Sequence, residues 1–337
     1  PLVYAVGHGS SSTNNPHYAA YDCGACSGRA GSVNARAFCH MANHPEVRKL
    51  LAQRGIHIPE ETQFVGAIHD TTRDEIMFFD EHVLFPNNVE NHAKNEYVFN
   101  TALDYNARER SRRLETTYTS AHAKTVHKHM KLRSVSLFEP RPEYNHATNA
   151  LCVVGRRSIT KNVFLDRRAF MNSYDYTTDP DGKLLLNILK PIGPVCGGIN
   201  LEYYFSRTDN HKLGAGSKLP HNVVGLVGVA NGTDGDLRPG LPSQMIEIHD
   251  PVRLLLIIEH FPEVVLQIIQ KIPEIYEWYK NEWINLVVLN PETHKLFRFK
   301  NESFYPYEPL QKDVLTVTDI NELFENHAGN VPVYLTA

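Results

Sequence analysis

His8, Cys23 and Cys26 are the residues whose types and spacing bear most directly on chemistry. Imidazole and thiolate groups together suit Zn2+, which tetrahedral sites hold at about 2.0–2.3 Å. All three fall in one loop-rich segment. An apolar run, Leu2–Val6, leads into Gly7-His8-Gly9-Ser10-Ser11-Ser12, then Asn14-Asn15-Pro16, then Tyr21-Asp22-Cys23-Gly24-Ala25-Cys26. Glycine on both sides of His8 would let the backbone bend closely around an ion. The spacing matches neither a zinc finger nor a ribbon, because no second close pair follows; Cys39-His40 lies on a predicted helix. Cys23 and Cys26 also fit a thiol–disulfide redox pair. Such pairs open a helix directly after a strand, whereas here Gly28 and Gly31 precede the next helix. A structural zinc-binding scaffold is the third reading, and it requires all four ligands within this chain.

Other polar groups are placed to support these. His69, Asp70, Arg73 and Asp74 follow the predicted strand Thr62–Ile68, either as a salt-bridged loop or as lining of the same crevice as His8. Ser10 reads as a turn former and hydrogen-bond donor, since no base is paired with it. The loop at residues 7–12 has the small residues of an anion cradle, but it lacks the lysine of a P-loop and the glycine pattern of a dinucleotide site. Asp234, Asp236 and Arg238 read as a solvated turn, and the run Arg108–Arg113 as a solvated helix face.

The elements that must position these residues alternate strand, loop and helix. Predicted helices cover Ser32–Met41 with Ser32 as cap, Pro45–Arg54 stopped by Gly55, Val89–Thr116 and Ala121–Leu132. That order predicts an α/β fold with a largely parallel sheet flanked by helices. Near residue 140 the texture changes, which divides the chain into a zinc-site region (1–140) and a C-terminal α/β extension (141–337) with helical and glycine-rich segments. In the extension Leu151–Val154 reads as a strand, and Leu184–Leu189 as strand or buried helix. Arg253–His260 and Pro262–Ile284 read as amphipathic helices, the second interrupted by Pro273. Leu286–Leu289 and Leu296–Phe299 read as a hairpin.

Composition narrows the function classes. With 337 residues and a net charge of −4, the chain has no basic field for sequence-independent nucleic-acid binding. Three of its five cysteines lie between Cys23 and Cys39, which argues for a reducing compartment and against a secreted disulfide framework. No apolar run approaches the ~20 residues of a membrane span. The start, without Met and directly in an apolar strand, reads as part of a longer chain.

The motif from Gly7 to Cys26, with Asn34-Ala35-Arg36, Ala67–Asp74 and Asp236–Met245, strongly resembles the DabA family of inorganic carbon transporter subunits over essentially the whole chain. The resemblance implies a core like that of β-type carbonic anhydrases, with Zn2+ held by two cysteines, a histidine and an aspartate. Two of those ligands come from a Cys-x-Asp segment, the others from a histidine and a cysteine fifteen positions later. His8 and Cys23 have that separation and take those roles. Cys26, Asp22, Ser10, His69, Asp70 and Arg73 are left as supporting residues around the metal. No Cys-x-Asp occurs in this sequence, so the chain alone is expected to bind zinc weakly and to be inactive. The implied reaction is energy-coupled hydration of CO2 to bicarbonate by a zinc-activated water. The implied partner is an integral membrane, proton-conducting subunit similar to the antiporter-like subunits of respiratory complex I. The implied location is the cytoplasmic side of the inner membrane, as a peripheral subunit.

Overall fold

The computed structural model describes residues 1–14, 29–115, 117, 121–144, 146–224, 238, 240–310 and 313–336. The chain forms two compact units, Pro1–Glu143 with Ser217–Gly232, and Tyr144–Gly216 with Thr233–Ala337.

The first unit is built on a three-stranded sheet. β1 (Leu2–Gly9) pairs in parallel with β2 (Gln63–Asp70), in register from Leu2↔Gln63 to Gly9↔Asp70. β3 (Glu75–Phe78) returns antiparallel to β2 through a turn in which Asp74 takes φ +53°. The parallel pair needs a crossover, which α1 (Ser32–Asn43) and α2 (Pro45–Gln53) supply. Helix α1 covers one face, with Phe38 edge-on to Phe64. On the other face α3 (Pro86–Ser111) sets Phe99 and His92 against Tyr4 and Phe78. Helices α4 (Ala123–Ser134) and α7 (Leu219–Val224) complete the unit. Ser32 is not a cap: Gly31 holds that position, without a side-chain bond. β2 runs through His69 and Asp70, so the predicted polar loop starts two residues later.

The second unit is organised by a six-stranded sheet. β4 (Leu151–Gly155), β6 (Ala169–Ser173), β7 (Leu255–Glu259) and β8 (Asn285–Leu289) are parallel; β9 (Leu296–Lys300) and β10 (Ser303–Tyr307) extend β8 as an antiparallel meander. The short strands β5 (Val163–Phe164), β11 (Leu315–Val317) and β12 (Tyr334–Thr336) make a separate three-stranded sheet. Helices α5 (Lys183–Ile192), α9 (Pro262–Ile269) and α10 (Pro273–Lys280) pack Leu185, Leu189, Val265, Ile268 and Ile275 onto Cys152, Leu256, Ile258 and Val288. Helices α8 (Ser243–Ile246) and α11 (Ile320–Asn326) are short.

The fold is therefore α/β, but its sheets are mixed, not largely parallel. The cause is local: tight turns, with left-handed residues at Asp74, His294, Asn301 and Glu302, leave no room for helical crossovers. The predicted helix Arg253–His260 is likewise not a helix: its Leu255–Glu259 is strand β7. Its apolar run is continuous, as in a strand buried on both faces, and periodicity cannot separate that from a buried helix. Leu184–Leu189 resolves as helix. α5 continues through a π-helical stretch, Gly193–Gly198, into α6 (Ile199–Thr208). The joined helix, Lys183–Thr208, is 26 residues long and contains an 18-residue window of mean hydropathy 1.3, enough by length and composition to cross a membrane, which no single apolar run in the sequence suggests. Its Leu185, Leu189, Ile192 and Cys196 are buried in the core.

One buried base in this unit carries a pH signature. His249 is 2% exposed, accepts the Thr148 amide at its Nδ1 (2.9 Å), and is pushed down to about 4, chiefly by burial. The unfolded chain takes up a proton near pH 6.5 and the native one only near 4, so stability falls as pH drops through that window. Acid titration of unfolding is expected to show a loss of about 2–3 kcal/mol between those limits, and His249→Asn should remove it.

Candidate functional site

The carboxyl ends of β1 and β2 carry most of the residues singled out above. Because successive side chains alternate between faces, the partners His8 and His69 lie side by side on the α3 face, and Gly9 and Asp70 on the α1 face. His8 is exposed.

Two carboxylates, the partly buried Asp70 and the buried Glu143, stitch the loops that follow the strands. Asp70 Oδ1 accepts the amides of Ser11 (3.2 Å), Thr72 (3.1 Å) and Arg73 (3.3 Å), and its Oδ2 accepts the Ser11 hydroxyl. Glu143 accepts the hydroxyls of Ser10 and Thr71, and of Thr72 at 3.2 Å. Ser10 also meets Thr72 Oγ1 at 2.8 Å and is 3% exposed. Ser10 and Asp70 are thus scaffold for the loop that leaves His8.

A third carboxylate anchors the face shared by His8 and His69. Asp74, 1% exposed, meets His69 Nε2 at 3.1 Å and accepts Asn106 Nδ2 at 2.7 Å and Arg110 Nε at 2.9 Å. Burial opposes its charge, but His69, Arg110 and Asn106 outweigh burial and hold it below the usual carboxylate range. Arg110 also donates to the Thr72 carbonyl (2.7 Å) and to that of Pro142. His127 spans from Asp104 (Nδ1, 2.7 Å) to the Arg73 carbonyl (Nε2, 2.8 Å). The Arg73 guanidinium itself turns to Glu75 (2.8 Å), which Lys131 also holds at 3.0 Å.

The loop beyond Ser12 is fixed equally firmly. Thr13 N donates to the Ser134 carbonyl (2.9 Å), and Asn14 reaches the carbonyls of Ser136 (3.2 Å) and Glu139 (2.8 Å) and accepts from Asn222 (2.7 Å). The buried Lys218 ammonium donates to the Thr13 carbonyl; burial, then the Arg141 charge, push it down to about 7. The chain returns beside His8 at Gly31, whose amide donates to the His8 carbonyl at 2.7 Å. Asp22, Cys23 and Cys26 lie outside the described residues, as do Asp234 and Asp236.

Gly7 has a packing role. A Cβ there would stand 2.5 Å from the Gly31 carbonyl, and one on Gly31 would stand 2.9 Å from His8 N. Gly7→Ala is expected to push Gly31 off the strand end and cost about 1–3 kcal/mol in a denaturant titration.

Sequence reasoning missed Glu143, Asn106 and Arg110. The run Arg108–Arg113 is not a solvated face, since Arg110, Arg112 and Arg113 are buried. The available signal was spacing: Asn106 and Arg110 are four apart and flank the buried Ala107. Among the described residues, no group of three or more His, Cys, Asp and Glu side chains is arranged to hold a metal ion.

Residues 1–284 match the family model described as "Probable inorganic carbon transporter subunit DabA". The chain belongs to the DabA family. Relatives bearing that description include one from Azotobacter vinelandii, 63% identical over 333 residues, which cover 99% of this chain and 39% of the relative. Another, from Nitrosospira multiformis, is 60% identical over 96% of this chain and 36% of the relative. A relative from Sorangium cellulosum named "Probable inorganic carbon transporter subunit DabA 2" is 46% identical over 98% and 33%. This DabA-family chain therefore spans between a third and two fifths of the length of these relatives. No solved structure matches it.

Proposed function

We propose that this chain is a region of an inorganic carbon transporter subunit in which His8 and Cys23 supply two of four ligands to a Zn2+ site that hydrates CO2 to bicarbonate. The observation that carries the reading is the family match over residues 1–284, with His8 exposed at a strand end whose surrounding loops are locked by buried carboxylates. The donor types fit zinc: an imidazole on a fixed strand end and a thiolate from the connecting segment. The described residues hold only the first, so the reading assigns the aspartate and second cysteine to the rest of the polypeptide.

Bound zinc would supply Lewis acidity, bringing the pKa of a coordinated water to ≈ 7. The chain's own residues position. Gly31 and the Asp70 and Glu143 networks fix the backbone on both sides of His8. The Asp74–Arg110 pair fixes the ring of His69 next to it, and such outer hydrogen bonds orient groups around a metal. Cys26, Asp22 and Arg73 stay as supporting residues of the same reading. The subunit works with an integral membrane, proton-conducting partner and sits peripherally on the cytoplasmic side of the inner membrane; hydration coupled to that partner's gradient accumulates bicarbonate.

The test is uptake of labelled inorganic carbon by cells carrying the full-length subunit and its membrane partner. His8→Ala and Cys23→Ala are each expected to reduce uptake to the level of cells without the complex. Uptake at the unmodified rate in either variant would sink the assignment.

A further inference from the structure

The outer edge of β1 has the form of an interior strand without its neighbour. The Pro1 carbonyl accepts Gln63 N and the Gly9 carbonyl accepts Thr71 N, each at 2.9 Å, so the odd-numbered carbonyls of β1 face β2. Strand alternation then turns the amides and carbonyls of Leu2, Tyr4 and Val6 the other way. The His8 carbonyl, next in that series, does point outward, because it accepts from Gly31. Among the described residues no strand pairs with this edge.

The side chains agree. Val3 is 40% exposed and Val6 44% exposed, and their spacing puts them on opposite faces of the sheet. Leu2–Val6 has no charge, no proline and no bulge, which are the devices that keep true edges from pairing. The helices α1 and α3 cover both faces of the parallel pair, as they do where strands are interior. β3, at the other edge, is four residues long and carries Glu75.

We propose that this edge is completed by a strand from the same full-length polypeptide, drawn from the part of the DabA-family chain outside the region described here. Its chemistry follows from the edge: about five extended residues, apolar on both faces to cover Val3 and Val6, hydrogen-bonded to Leu2, Tyr4 and Val6. The relatives supply the material, since this chain covers only 39% and 36% of the two from Azotobacter and Nitrosospira. The proposal does not depend on zinc.

Two measurements on the full-length polypeptide decide it. In hydrogen exchange read by mass spectrometry, the peptide holding Leu2–Val6 is expected to exchange all its amides at least about 100-fold more slowly than the exposed loop at residues 55–61. A photo-crosslinking side chain at Val6 is expected to capture an apolar, strand-forming segment of the same polypeptide. Rapid exchange of the alternate, outward amides would overturn the proposal. So would capture of residues 15–28, of a second copy or of the membrane partner.

Discussion

Asp74→Ala is expected to destabilise the N-terminal unit by about 3–5 kcal/mol, the cost of breaking a buried ion pair by removing one partner. The side chains of Asp74 and Arg110 are 0% and 4% exposed and meet at 2.8 Å, so water cannot replace the lost carboxylate. His69 and Asn106 lose the same acceptor, and the loss spreads to the face that carries His8. The contrast is Glu75→Gln. Its partners Arg73 and Lys131 are also real ion pairs, but Glu75 is 41% exposed, and such pairs contribute about 0–1 kcal/mol. Urea unfolding followed by near-ultraviolet circular dichroism would separate the two; equal effects would mean that burial does not set the worth of these pairs.

The same pair sets an acid limit. Asp74 is held below its usual range in the native state, so its stabilisation is complete above the unfolded carboxylate value of about 3.9 and is lost as pH falls through the lower native value. Asp74→Asn should therefore flatten the stability profile below about pH 4, a window distinct from that of His249.

What the sequence made legible follows from which signals are local. α1 and α2 were readable because an amphipathic run, Pro45 at a first turn and Gly55 after the end are local features, and Gly55 does take φ +83°. The β8–β9 hairpin was readable for the same reason. β7 was not, because a continuous apolar run fits a buried strand and a buried helix alike. Of the site, the strand-end position of His8 was legible, and so was the family. The long-range partners were not: Arg110 reaches Asp74 across 36 residues, and Glu143 reaches Ser10 across 133. A charge run read without its tertiary neighbours takes the solvated reading, yet burial and pairing turn Arg110 into the anchor of the site.

The second large effect concerns metal. On the proposed reading, His8→Ala and Cys23→Ala are each expected to lower zinc affinity in the full-length polypeptide by several orders of magnitude, because the proposed tetrahedral site would lose a quarter of its ligands. On the same reading His69→Ala would remove a neighbour and not a ligand, and is expected to cost about 10–100-fold, as outer-sphere partners do. Cys26→Ala should keep the metal. A redox reading of Cys23 and Cys26 orders these variants differently, since both cysteines would then matter equally and His8 not at all. A structural zinc scaffold differs again, because the 337-residue chain by itself would hold the ion at full occupancy.

The direct measurement is zinc content of the purified full-length subunit by elemental analysis after exhaustive dialysis. The account predicts one zinc per polypeptide in the unmodified protein and essentially none in His8→Ala or Cys23→Ala. Full zinc occupancy in either variant, or none in the unmodified protein, would contradict it.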